Sequence, residues 1–198
     1  MRRVVVVRTG TANLASVVAA LERGGAAVEV TSDPTAVEKA DRLVLPGVGS
    51  FGPVAEGLRL SGLAGPLAER FAGGRPALAI CLGLQLLAAW SEEAPGVPGL
   101  GVLPETVTRF ADGLRAPQLG WNRVTAGPDC RLLTDGDAYF ANSYKLDRAP
   151  EGWAAALTDH GGLFVAALER GPVLACQFHP ELSGRWGQAL IERWLEVA

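Results

Sequence analysis

Residues 77–87 read ALAICLGLQLL, and the fold turns on how this stretch is read. Residues 77–80 form a short, unbroken apolar run after Pro76, which suits a strand buried on both faces of a parallel sheet. LGLQLLAAW (82–90) then reads as a helix, so Cys81 stands where strand gives way to helix. A sharp strand-to-helix turn lifts its side chain above the carboxyl edge of the sheet, where open α/β folds bind ligands. The unpaired N–H groups of a helix start favour thiolate over thiol. Gly83 leaves room for the backbone to turn tightly. The plainer reading is a small buried hydrophobe, which most free cysteines are.

Upstream, VVVVR (4–8) is a β-branched run that suits another buried strand. Leu14, Val17, Val18 and Leu21 then fall at i, i+3, i+4 and i+7, an amphipathic helix closed by Gly24 and Gly25. AAVEVTS and RLVLPG read as strands with the short helix PTAVEKA between them. A glycine-rich turn, PGVGSFGP, leads into a helical stretch over roughly 54–72. This alternation predicts an α/β fold with a central, mostly parallel sheet flanked by helices. From about residue 95 the texture changes to a Pro/Gly-rich loop and short strand candidates: TVTRF, NRVTA, AYFANSYKL, WAAALT, GLFVAAL and PVLACQF. DG, DHGG and RGP turns separate them, giving a strand-rich hairpin region in the C-terminal half. GRWGQALIERWLEVA closes as a helix with Leu190, Trp194 and Leu195 on one side. No linker or repeat interrupts the chain, so a single domain over residues 1–198 is expected.

A chain of 198 residues suits one sizeable core. A net charge of -3 gives no reason to expect nucleic acid or an anionic membrane as partner. No apolar run approaches the roughly 20 residues that cross a bilayer, and the opening valines are too few for a secretory signal. A cytoplasmic protein is expected. Cys81, Cys130 and Cys176 are scattered, odd in number and free of any CxxC pair, so no disulfide framework, metal or cofactor is expected.

A thiol nucleophile needs a base. Only two histidines are present. His160 lies in TDHGG, a hairpin tip where a solvated loop residue is the natural reading. His179 lies in ACQFHPELSG, just past an apolar strand, and also projects from the carboxyl edge of the sheet. Glu181 follows at i+2, on the same side of an extended chain, where a carboxylate can fix the imidazole tautomer and stabilise its cation. Pro180 between them keeps His179 extended. The turn PGVGSF (46–51) offers backbone N–H groups to an oxyanion, and the Leu82 amide is the second such donor. Taken alone, that turn reads more readily as a plain tight loop.

ICLGLQLL with QFHPELSG far downstream resembles the class I (triad) glutamine amidotransferases. LPGVGSFGP, SEEAPGVPGLGVLPETVTRF, PQLGWN and YFANSY, in that order, are similar to the glutaminase subunits of imidazole glycerol phosphate synthases, from histidine biosynthesis. The resemblance implies that Cys81 attacks the side-chain amide of glutamine, that His179 moves the protons and that Glu181 orients His179. It implies Gly49, Gln85, Glu93, Ser143 and Tyr144 around the substrate, with Val48 and Leu82 on the oxyanion side. Glu92 stays open as the alternative to Glu93. It further implies a (β/α)₈ barrel cyclase as heterodimer partner receiving the ammonia, with Asn13 and Trp121 near the interface. The chain departs from the family pattern at Arg8, Thr9 and Ala12 in the first loop. It departs again at Ala79 (usually glycine), at Gln118 and Asn142 (commonly histidines) and at Leu182 (usually lysine). None is a triad position.

Overall fold

Residues 2–10 and 14–198 are described by the structure, a computed structural model. The first half alternates as its periodicities require. The elements are β1 (Arg2–Val7), α1 (Leu14–Arg23), β2 (Ala26–Thr31), α2 (Pro34–Lys39), β3 (Arg42–Gly47), α3 (Phe51–Leu60), α4 (Ala64–Ala72), β4 (Ala77–Cys81) and α5 (Leu82–Leu86). Then come β5 (Ala88–Ser91), β6 (Leu103–Arg109), β7 (Gln118–Ala126), β8 (Gly136–Asn142), β9 (Tyr144–Lys145), β10 (Ala154–Asp159), β11 (Leu163–Arg170), β12 (Val173–Cys176) and α6 (Gly184–Val197).

Nine strands form one sheet in the order β2-β1-β3-β4-β12-β11-β10-β7-β8. It is parallel from β2 to β12 and antiparallel from β12 to β8. The hairpins after residue 95 extend the parallel part, so the large sheet is mixed. Side chains alternate between two cores, as strands covered on both faces require. Val5 and Val7 face α2, α3, α4 and α5 through Val37, Phe51, Leu67 and Leu84. Val4 and Val6 face α1 and α6 through Val17, Leu21, Leu190 and Trp194. No helix among the described residues is long and apolar enough to cross a membrane.

Three local expectations give way to tertiary contacts. The helix expected over 82–90 stops at Leu86, and 88–91 is a strand paired with β6. Amides of Gly99, Leu100 and Leu103 take the carbonyls of Ala89, Leu86 and Leu87, so the loop captures groups that a longer helix would use itself. The stretch 54–72 is two helices, broken at Ser61–Leu63, where Gly62 has φ +72°. AYFANSYKL divides at Ser143: β8 stays in the large sheet, and β9 pairs with β6 in a three-stranded one.

One pairing positions the chemistry. β12 lies beside β4 and parallel to it, with Cys176 opposite Ile80. The residues following both strands therefore leave the sheet at the same edge. The turn after β4 is crowded: a Cβ on Gly83 would sit 2.2 Å from the Leu45 carbonyl oxygen. Gly83→Ala is expected to destabilise the chain by about 1–3 kcal/mol, the usual cost of overpacking, read as a lower midpoint in chemical denaturation.

Candidate active site

Cys81 has φ +53° and ψ -111°, and among the described residues it is the only non-glycine with positive φ. Such a conformation costs on the order of 1–3 kcal/mol and persists only where its surroundings hold it. Here β3 supplies the hold. A Cβ on Gly47 would lie 2.7 Å from the Gly83 nitrogen and 2.8 Å from Leu82 Cβ, so β3 and the turn touch backbone to backbone. The result is a thiol standing at the sheet's carboxyl edge beside a short helix.

His179 follows β12 and is held at three points. Its amide donates to the Tyr139 carbonyl at 2.9 Å. The Ser183 hydroxyl donates to the His179 carbonyl at 2.6 Å and accepts from the Tyr139 amide at 3.0 Å. Residues 180–182 form one 3₁₀ turn with Pro180 at its start, and this swings Glu181 back toward the ring. Nδ1 of His179 meets Glu181 Oε1 at 2.9 Å, both side chains being buried. With Nδ1 engaged, Nε2 is the nitrogen left to face the Cys81 thiol, whose sulfur lies 3.9 Å from the Ala141 carbonyl oxygen. Burial penalises the imidazolium. Hydrogen bonds to Cys81 and Glu181, with the charges of both, outweigh that penalty and lift His179 from an ordinary 6.5 to about 10.

A cavity of about 260 Å³ opens above the sulfur. Val48, Gly49, Cys81, Leu82, Gln85 and Glu93 line it, together with Ser143, Tyr144 and His179. Glu93, not Glu92, reaches this cavity; its Oε2 accepts from the Phe51 amide at 3.0 Å at the start of α3. Glu92 is outside the cavity lining and accepts from the Arg109 amide. Gly49 has φ +97° in the turn between β3 and α3. Trp121 lies elsewhere, 59% exposed on β7, with its ring against Tyr139. Asn13 and Ala12 lie outside the described residues. His160 is on the β10–β11 turn, where its Nε2 contacts the Arg115 carbonyl.

The departures from the family pattern are absorbed differently. Ala79 is fully buried within β4. Arg8 donates its amide to Thr31, and Thr9 Oγ1 is buried without a partner. Gln118 and Asn142 face each other across β7 and β8, both buried. Leu182 is exposed. Sequence reasoning assigned no role to Ala141, Asn142 or Pro117, which also line the cavity, nor to Gln177 beside Cys81. The one available signal for Gln177 was an amide at the end of an apolar strand, two residues before His179.

The fold is that of an amidotransferase, and the chain belongs to the family described as "Glutamine amidotransferase class-I", matched over residues 5–197. A solved structure titled "Crystal structure of glutamine amidotransferase" superposes with a TM-score of 0.78 at 25% identity, covering 98% of this chain and 97% of its own. Within that family the chain falls among the HisH subunits of imidazole glycerol phosphate synthase. The subunit from Symbiobacterium thermophilum is 44% identical, over 98% of this chain and 93% of the relative. That from Thermus thermophilus is 44% identical over 95% of this chain and 96% of the relative. In Arabidopsis thaliana the matching protein is "Imidazole glycerol phosphate synthase hisHF, chloroplastic", 39% identical over 94% of this chain but 33% of the relative.

The raised His179 value sets a pH dependence. A group raised from 6.5 to about 10 on folding adds stability that is complete below 6.5 and disappears as pH rises through about 10. NMR titration of the imidazole should give a midpoint near 10 in the wild type and a lower one in Glu181→Gln, which keeps the shape and removes the charge. An unchanged midpoint in that variant would contradict the pairing.

Proposed function

We propose that Cys81, His179 and Glu181 carry out glutamine hydrolysis in the following way. The Cys81 sulfur attacks the side-chain amide carbon as thiolate, forming a tetrahedral oxyanion. His179, cationic at rest, gives a proton to the departing ammonia. The thioester is then attacked by water, which His179 deprotonates, and glutamate leaves as the thiolate re-forms. Glu181 keeps the ring in one orientation and offsets its charge. The observation that carries this reading is the convergence of a strained thiol and an imidazole on one cavity from two parallel neighbours, β4 and β12, with a carboxylate behind the imidazole.

The Leu82 amide, first in α5, and the Val48 amide are the proposed oxyanion donors, and the positive φ of Gly49 lets that turn present its N–H groups. Glu93 takes the α-ammonium of glutamine. Gln85, Gly49, Ser143 and Tyr144 take the rest, with the backbone of 143–144 toward the carboxylate. One glutaminase domain spans residues 1–198.

The ammonia serves imidazole glycerol phosphate synthase in histidine biosynthesis, making imidazole glycerol phosphate and an aminoimidazole carboxamide ribotide. Its receiver is a (β/α)₈ barrel cyclase bound to this chain as a heterodimer in the cytoplasm. Three observations support a partner. The relatives are named as subunits, and in the Arabidopsis protein the matching segment is 33% of a longer chain. Leu119, Trp121 and Leu182 also leave large apolar side chains exposed, and the first two share one face of β7. That face is the proposed seat of the cyclase, with Trp121 in the contact. No cofactor or metal enters the chemistry proposed.

Cys81→Ala should lower glutamine-dependent synthesis by about 10⁴-fold or more, while added ammonia still supports the cyclase. The assay measures imidazole glycerol phosphate from glutamine and from ammonium salt in parallel. A variant that still hydrolyses glutamine at the wild-type rate would refute the assignment. Comparing glutaminase rates with and without the cyclase then tests the partner.

A further inference from the structure

We infer that Gln177 directs the Cys81 sulfur and ties it to the strand that holds the substrate, an inference that rests on the glutaminase reading above. Cys176 is opposite Ile80 in the β12–β4 register, so the next residue, Gln177, falls beside Cys81. Its side chain is fully buried at the end of an apolar strand, yet both ends of its carboxamide are used. Oε1 accepts from Gln85 Nε2 at 3.0 Å, and Nε2 points to Cys81 Sγ at 3.7 Å.

The direction of this chain is not arbitrary. Gln85 Nε2 also donates to the Tyr144 carbonyl at 3.0 Å, and a backbone carbonyl can only accept. Gln85 must therefore present its NH₂ group there. Gln177 must answer with its oxygen, which turns its own NH₂ toward the sulfur. Asn142 Nδ2 donates to the same Tyr144 carbonyl at 3.0 Å and fixes the anchor from the other side. An N–H aimed at sulfur is a better partner for thiolate than for thiol, so Gln177 stabilises the nucleophilic form. It also sets where the sulfur lies over the cavity. Asn142 and Tyr144 line that cavity, so the same chain links the substrate's seat to the nucleophile.

The test uses the full chain and Gln177→Met, which keeps the volume and removes the donor. The rate of iodoacetamide labelling at Cys81 is followed across pH by peptide mass mapping, with Cys130 and Cys176 as internal references. The midpoint should rise by about one pH unit, and kcat for glutamine hydrolysis should fall about tenfold with KM moving less. A labelling profile that superimposes on the wild type overturns the inference. If circular dichroism shows Gln177→Met unfolded, Gln177→Glu takes its place, because it still accepts from Gln85 and offers no N–H at neutral pH. Its midpoint should rise at least as far, and an unchanged midpoint again overturns the inference. The glutaminase reading fails separately: it falls if wild-type Cys81 is never labelled faster than Cys130. A reactive Cys81 with no shift in the variant removes only the role of Gln177.

Discussion

The contact between the end of β3 and the turn after β4 is the constraint on which the site depends. Neither Gly47 nor Gly83 has space for a Cβ, because each faces the other segment's backbone or first side-chain atom. That closeness allows the Leu45–Gly47 strand end to press on the turn and hold Cys81 at φ +53°. A looser junction would let Cys81 relax into the sheet, where it would be one more small apolar side chain. The strain is thus local and is offset by burial in the surrounding core.

The second half of the site reaches the first across nearly a hundred residues, and parallel pairing closes that distance. β12 enters between β4 and the antiparallel hairpins, so it is the strand at which the sheet changes character. Its parallel side faces the strand that ends at Cys81, and its antiparallel side anchors it to β11. His179 then needs no long excursion. The Tyr139 backbone and the Ser183 hydroxyl clamp its main chain, and Glu181 clamps its ring. Burying a histidine cation is costly unless partners surround it, and Cys81 and Glu181 are those partners. Gln85 and Gln177 continue the same logic, satisfying amides inside an apolar interior by joining them into one chain.

Much of this was legible from local pattern. The β-branched run at 4–7, the helical spacing at Leu14–Leu21 and the strand-to-helix change at Cys81 all reappear in the fold. The pairing of His179 with Glu181 also followed from spacing, although a 3₁₀ turn rather than a fully extended chain brings them together. Less legible were α5 ending at Leu86, the break at Gly62 and the departure of β9 to a second sheet. In each case but the Gly62 break, the deciding partner lies elsewhere in the chain: the 99–103 loop takes the carbonyls of residues 86–89, and β6 claims Tyr144.

By itself the sequence singled out Cys81, His179 and Glu181 as candidates, because a thiol at a strand end and a histidine two residues before a carboxylate are local facts. It also determined the alternation of elements, since periodicity is written residue by residue. Only the tertiary structure decided that β12 lies beside β4, that Glu93 rather than Glu92 reaches the cavity and that Gln177 touches the sulfur. Those outcomes depend on strand order and on which buried polar groups find partners, and both are settled only when distant segments compete for the same space and the same hydrogen bonds.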